Sequence, residues 1–259
     1  MTVANYRSEL LARETLEAIG LSVESIPRTD NRTADFWVRD LLRSYLVEVT
    51  EKMPAEDYRD FLERATNIGG ATLTRSVQRE NRIDAIINNK ADQLQKTQTA
   101  SDFQLILVTA LHDDARHVFD MLYSTVYGVA SLVAVDPETY QPSFRDCLFY
   151  DHFSFYRQRD LCGVIFLSEE AICLLLNPLC QRADDFREST MHRGFFERNA
   201  LIDPDANHDL LKLDFDVDRK DSKAKWRALK AKYGLLTSRA LDSKFEGRLT
   251  IPKQALAGN

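Results

Sequence analysis

Apolar residues recur at helical spacing near the start of the chain, where Leu11, Ala12, Thr15, Leu16, Ala18 and Ile19 form one arc. The spacing predicts a helix over 7–19, and Gly20 supplies its stop. The period then shortens to two. Residues 21–26 alternate as a half-buried strand does, 27–32 read as a turn, and 36–42 and 45–50 continue an antiparallel meander. Pro54 opens a helix to about Ala65, and Asn67, Ile68, Gly69 and Gly70 break it. Helical spacing returns in 80–96 through Ile83, Ile86, Ile87 and Leu94. Residues 103–111 form a continuous apolar run of the kind buried on both faces of a mixed sheet.

A helix over 113–125 and a short strand over 131–135 follow, and together with 103–111 they read as one crossover unit. Past Asp136 the pattern changes, so a boundary is expected there, with residues 1–136 as a core and 137–259 as an extension. In the extension, 161–167 and 171–176 read as a hairpin, 182–199 as helical and 203–207 as a turn. Trp226, Leu229 and Tyr233 share one side of a last, basic helix.

Two acids interrupt the meander. Along Leu46, Val47, Glu48, Val49 and Thr50, the valines face one way while Glu48, Thr50 and Lys52 face the other. Asp35 heads the neighbouring apolar run, so adjacent strands can set Asp35 beside Glu48. Paired carboxylates in a partly dry place repel each other unless a proton or a cation joins them. Carboxylate oxygens with water suit a hard divalent ion, magnesium or manganese. The plain alternative is that Asp35 caps a turn and Glu48 lies on a solvated edge.

Lys90 is the third element. It stands seven places after Ile83, four after Ile86 and three after Ile87, and so breaks the stripe that should face the sheet. A lysine there snorkels to the edge or meets a negative partner, and Gln93 lies on the margin of the same face.

In this order, a helix bearing Glu9, then Ala34, Asp35 and Phe36, then Leu46 to Thr50, then a helix with Lys90 and Gln93, then the apolar strand, the first 110 or so residues resemble the PD-(D/E)XK nuclease superfamily. Ala34 stands where proline is usual and Thr50 where the motif lysine belongs. The resemblance implies an α/β fold with a restriction-endonuclease-like core, a central mixed sheet flanked by helices, here followed by a C-terminal α+β extension. It also implies magnesium or manganese on Asp35, Glu48 and the Thr50 carbonyl, with Lys90, or failing it Lys52, at the attacking water. Gln93 would hold a ligand or the phosphate, and Glu9, or next Glu14, would support the metal site. The expected activity is hydrolysis of DNA phosphodiesters, with RNA and a homodimer left open. The alternative is a nuclease-fold module that has lost cutting and binds nucleic acid or a protein.

Composition adjusts these expectations little. At 259 residues, 44% hydrophobic and 29% charged, with net charge -6, the chain is an ordinary globular one without a general basic coat for DNA. Local basic groups therefore carry the expected phosphate contacts: Arg64, Arg75, Arg79 and Arg82 in and beside the 53–79 insertion, and Lys223, Arg227 and Lys230 on the last helix. Both sets read equally as solvated surface. No apolar run has membrane-span length, and residues 1–7 lack the apolar core of a signal peptide, which predicts a cytoplasmic protein. Cys147, Cys162, Cys173 and Cys180 lack zinc-type spacing and read as buried free thiols.

Overall fold

The computed structural model describes residues 3–27, 33–68, 72–77, 79–97, 99–135, 138–207, 210–241 and 245–250. Much of the turn expected at 27–32, and the two glycines at 69 and 70, lie outside them. Helix α1 (Val3–Ala18) leads into the meander of β1 (Ser22–Ser25), β2 (Phe36–Arg39) and β3 (Ser44–Glu51). Gly20, at φ +88°, makes the reversal between helix and meander.

Helix α2 (Glu56–Ile68), β4 (Thr72–Val77) and α3 (Asn81–Lys96) come next, followed by β5 (Phe103–Thr109), α4 (Ala115–Tyr127), β6 (Ala130–Val135) and β7 (Pro142–Leu148). The chain continues through β8 (Leu161–Leu167), β9 (Ile172–Leu176), α5 (Ala183–Arg187), α6 (Thr190–Glu197), β10 (Leu201–Ile202) and β11 (Leu211–Lys212). It closes with α7 (Ser222–Tyr233), β12 (Thr237–Ala240) and β13 (Phe245–Thr250).

The main sheet has the order β1-β2-β3-β5-β8-β9-β10, parallel where β5 joins β3 and β8 and antiparallel through the meander and the β8–β9 hairpin. Tyr45, Val47 and Val49 of β3, with Phe103, Leu105 and Leu107 of β5, face α1, α5 and α6. Leu46, Ile106, Val108, Val164 and Phe166 face α3 and α4. The protein is thus α/β, with a mixed sheet between two helical layers. A second sheet, β11-β7-β6-β12, packs under α7 through Leu132, Ala134, Cys147, Leu213 and Leu229, and β4 pairs antiparallel with β13.

Three readings of the sequence change here. The strand at 131–135 does not complete a crossover beside β5; it joins the second sheet, and β8 takes that place. Burial explains the exchange. Every residue of β8 is buried, as a strand between two others under helices on both sides must be, whereas β6 alternates buried and half-buried positions. The main sheet consequently draws strands from both sides of residue 136. The insertion at 53–79 holds a strand, β4, in which two threonines and a valine favour extended backbone. The helical stretch at 182–199 is two helices, the second capped by Ser189, whose hydroxyl accepts the His192 N–H at 3.2 Å.

The turn at 203–207 is held from α5. Arg187 bonds both carboxylate oxygens of Asp203, at 2.8 and 3.1 Å, and one of Asp205 at 2.9 Å. Burial pushes the Asp203 carboxyl up, but the guanidinium overrides it and holds the group below the usual carboxylate range. No helix among the described residues is long and apolar enough to cross a membrane.

Gly128 turns the chain from α4, in the main layer, toward the second sheet. Its φ is +60°, its carbonyl accepts the N–H groups of Tyr150 and Asp151 at 3.0 and 3.1 Å, and an added Cβ would lie 2.5 Å from the Asp151 carbonyl oxygen. Gly128→Ala is expected to destabilise the protein by about 1–3 kcal/mol, from backbone strain and the forced shift of Asp151. Urea unfolding measures this, and an unchanged midpoint would contradict it.

Candidate active site

The site is built where β3 passes beneath α3. Alternation along β3 turns Leu46, Glu48 and Thr50 toward the helix, and Glu48 is 1% exposed. Helix α3 covers the sheet with Ile83, Ile87, Ala91 and Leu94. Its flank carries Ile86, Asn89, Lys90 and Gln93, which with Thr50 line a cavity of ≈ 360 Å³. Lys90 does not escape to solvent. Its Nζ lies 2.5 Å from Glu48 Oε1. A carboxylate this deeply buried needs a cation close by, and the helix brings one from a position that would otherwise be apolar.

Gln93 anchors the arrangement. Its Oε1 is 3.5 Å from Lys90 Nζ, and its Nε2 donates to the Thr33 carbonyl at 2.6 Å. One turn later the Thr97 hydroxyl accepts the Ala34 N–H at 2.9 Å and donates to the Gln93 carbonyl at 3.1 Å. Residues 33 and 34 are therefore stitched to the C-terminal end of α3.

Asp35 directly precedes β2. The pairing of Phe36 with Val47 and Trp37 with Leu46, continued by one step, sets Asp35 opposite Glu48. Its Oδ2 accepts the Val49 N–H at 2.9 Å, and its carbonyl accepts the Ile26 N–H at 2.9 Å. The carboxylate takes the ladder position that a further strand residue would have filled.

Lys52, Glu9 and Glu14 lie apart from this group. Lys52 falls past the end of β3, where its N–H donates to the Thr109 carbonyl at 2.8 Å and its Nζ stands 3.4 Å from Glu80 Oε2. Lys90 is thus the lysine that meets Glu48. The Thr50 carbonyl receives the Thr109 hydroxyl at 3.4 Å. Glu9 is half-buried and Glu14 exposed on α1, the helix that covers the opposite face of the sheet. Beside Glu9, Ser8 is buried between Glu51 and Thr109, at 3.1 and 3.0 Å.

Asp35, Glu48 and the Thr50 carbonyl offer only hard oxygen donors, which fit magnesium or manganese and not zinc. Among the described residues no group of three or more His, Cys, Asp or Glu side chains is placed to hold a metal ion. An ion here would rely on backbone oxygen and water beside the two carboxylates, as magnesium commonly does.

The expected phosphate contacts divide. Arg75 is locked in a two-pronged ion pair with buried Asp114 and lies 4.9 Å above the Tyr58 ring. Arg79 bonds Asp84 at 2.7 Å and Asn81 at 3.0 Å. Both are structural cations, held by buried acids whose charge they balance. Arg64 and Arg82 are exposed. On α7, Lys223, Arg227 and Lys230 are exposed along one face, while Lys225 turns inward, 3.8 Å above the Tyr150 ring and 3.4 Å from Asp151. Asn89 and Ile86 were missed, although their spacing from Lys90 and Gln93 on one helix flank signals them. The roles of Thr33 and Thr97 leave no side-chain pattern to read.

Lys90→Met is expected to destabilise the protein by ~2–4 kcal/mol, because it strands a buried carboxylate. Adding Glu48→Gln should restore most of that loss. A double-mutant cycle by urea unfolding reads the coupling, and additive effects would mean the two groups do not depend on each other.

The chain matches no family model, no curated protein and no solved structure.

Proposed function

We propose that this protein is a metal-dependent nuclease with a restriction-endonuclease-like core that hydrolyses DNA phosphodiester bonds. The observation that carries the reading is the contact between Lys90 and buried Glu48, beside a cavity and across the strand register from Asp35. The order of the elements supports it as well: a helix, a three-stranded meander, then, after the inserted α2 and β4, a helix and a strand parallel to the last of the meander, as the resemblance to the PD-(D/E)XK superfamily calls for.

In this reading Asp35, Glu48 and the Thr50 carbonyl would hold magnesium or manganese, which would supply Lewis-acid activation of water and charge stabilisation at the phosphate. Lys90 replaces the lysine that Thr50 lacks. Held at Glu48 and steadied by Gln93, its ammonium directs the attacking water and offsets negative charge as it builds on the phosphoryl oxygens. Such a group acts best when it is fixed beforehand, and a short ion pair on a packed helix fixes it. Lys223, Arg227 and Lys230 give the exposed cationic row that tracks a phosphate backbone without reading sequence.

A second reading rests on Thr50 and on the closeness of Lys90 to Glu48. A chain without the motif lysine, whose acid is already neutralised, suits a module that binds nucleic acid or a protein without cutting.

Plasmid nicking with magnesium separates the two. Cleavage is expected from the wild type, stopped by a chelator, and reduced by roughly 10²-fold or more in Glu48→Ala and Lys90→Ala. A protein that retards DNA but never cuts it favours the module, and one that does neither removes the nuclease and leaves the module only as a binder of protein.

A further inference from the structure

Cys162, near the start of β8, and Cys180, in the turn after β9, place their sulfur atoms 3.0 Å apart in the interior. The backbone around them is fastened. Asn177 donates its N–H to the Cys162 carbonyl at 2.9 Å, its side-chain amide to the carbonyls of Gln158 and Leu161 at 2.8 Å each, and it accepts the Cys180 N–H at 3.1 Å. Two sulfurs held face to face on a pinned strand and turn need to close by only about 1 Å to reach bonding distance.

We propose that Cys162 and Cys180 are an oxidative modification site, joined into a disulfide by a hydroperoxide. Their mutual hydrogen bond raises the Cys162 thiol and lowers that of Cys180, so Cys180 is the thiol that gives up its proton more readily. Cys180, 7% exposed against 1% for Cys162, meets the oxidant first. Cys180 gives up its proton and its thiolate attacks one peroxide oxygen; the O–O bond breaks, a sulfenic acid forms, and the other oxygen leaves with the proton that Cys180 released, as water or alcohol. Cys162 then attacks that sulfur, the S–O bond breaks, and the hydroxide departs with the Cys162 proton as a second water. The two sulfurs lose two electrons and the hydroperoxide gains them.

The bond would tie the start of β8 to the turn beyond β9. That turn also leads to Arg182, which donates to the Asp102 carbonyl at 2.6 Å ahead of β5. Three strand ends of the main sheet would then be fastened through one cross-link.

The experiment exposes the native protein to hydrogen peroxide, denatures it, alkylates the remaining thiols and maps peptides by mass. Two of the four cysteines should resist alkylation, in a linked peptide containing Cys162 and Cys180 that is lighter by two hydrogens. Dithiothreitol should reverse the change, and the oxidised form should melt roughly 5–10 °C higher. Cys162→Ser should abolish the linked peptide and leave Cys180 as a sulfenic or sulfinic acid. Four alkylated thiols after treatment, or a link through Cys147 or Cys173, would overturn the proposal. The wild-type peptide map decides this whether or not the variant folds.

Discussion

A single carboxylate governs the architecture of the candidate site. Glu48 is as buried as the leucines around it, and a charge in that position is tolerated only with a cation in contact. Lys90 must therefore enter the interface between α3 and the sheet, and this sets how the helix lies. Ile83, Ile87, Ala91 and Leu94 cover the sheet, while the flank at Ile86, Asn89 and Gln93 stays open. Gln93 and Thr97 then bind residues 33 and 34, and the strand that carries Asp35 is held in register. Buried apolar contacts hold the helix on the sheet, and the ion pair selects its rotation.

The neighbouring charges follow the same rule with a different result. Asp114 and Asp84 are also buried, and each takes an arginine from the stretch around β4. Those arginines serve folding, because a guanidinium that balances a buried acid cannot leave it without a large penalty. Lys223, Arg227 and Lys230 face no such acid on their helix, and they remain on the surface. Burial of the partner, more than the sequence clustering of positive charge, separates a structural cation from one available to a ligand.

Much of this was legible in the chain. The period of two in the meander, the period of 3.6 in α1 and α3, and the break that Lys90 makes in the apolar stripe are local signals, and each led to the right element. The partner of β5 was not legible, since both 131–135 and 161–167 read as strands and the choice depends on what covers them after folding. Arg75 and Arg79 looked like a basic patch because their acids, at 114 and 84, meet them only in three dimensions. Of the lysines at 52 and 90, the helical stripe favoured 90. The position of Glu80, which receives Lys52, gave no signal of its own.

The pairing of β4 with β13 joins residues 72–77 to residues 245–250, an internal strand to one formed far later in the chain. Long-range pairing of this kind is slow, because a large loop must close before any contact rewards it. On the ribosome β4 therefore emerges before its partner strand and waits until nearly all of the described chain has been made. That interval leaves the β4 backbone unpaired on the side that β13 later covers.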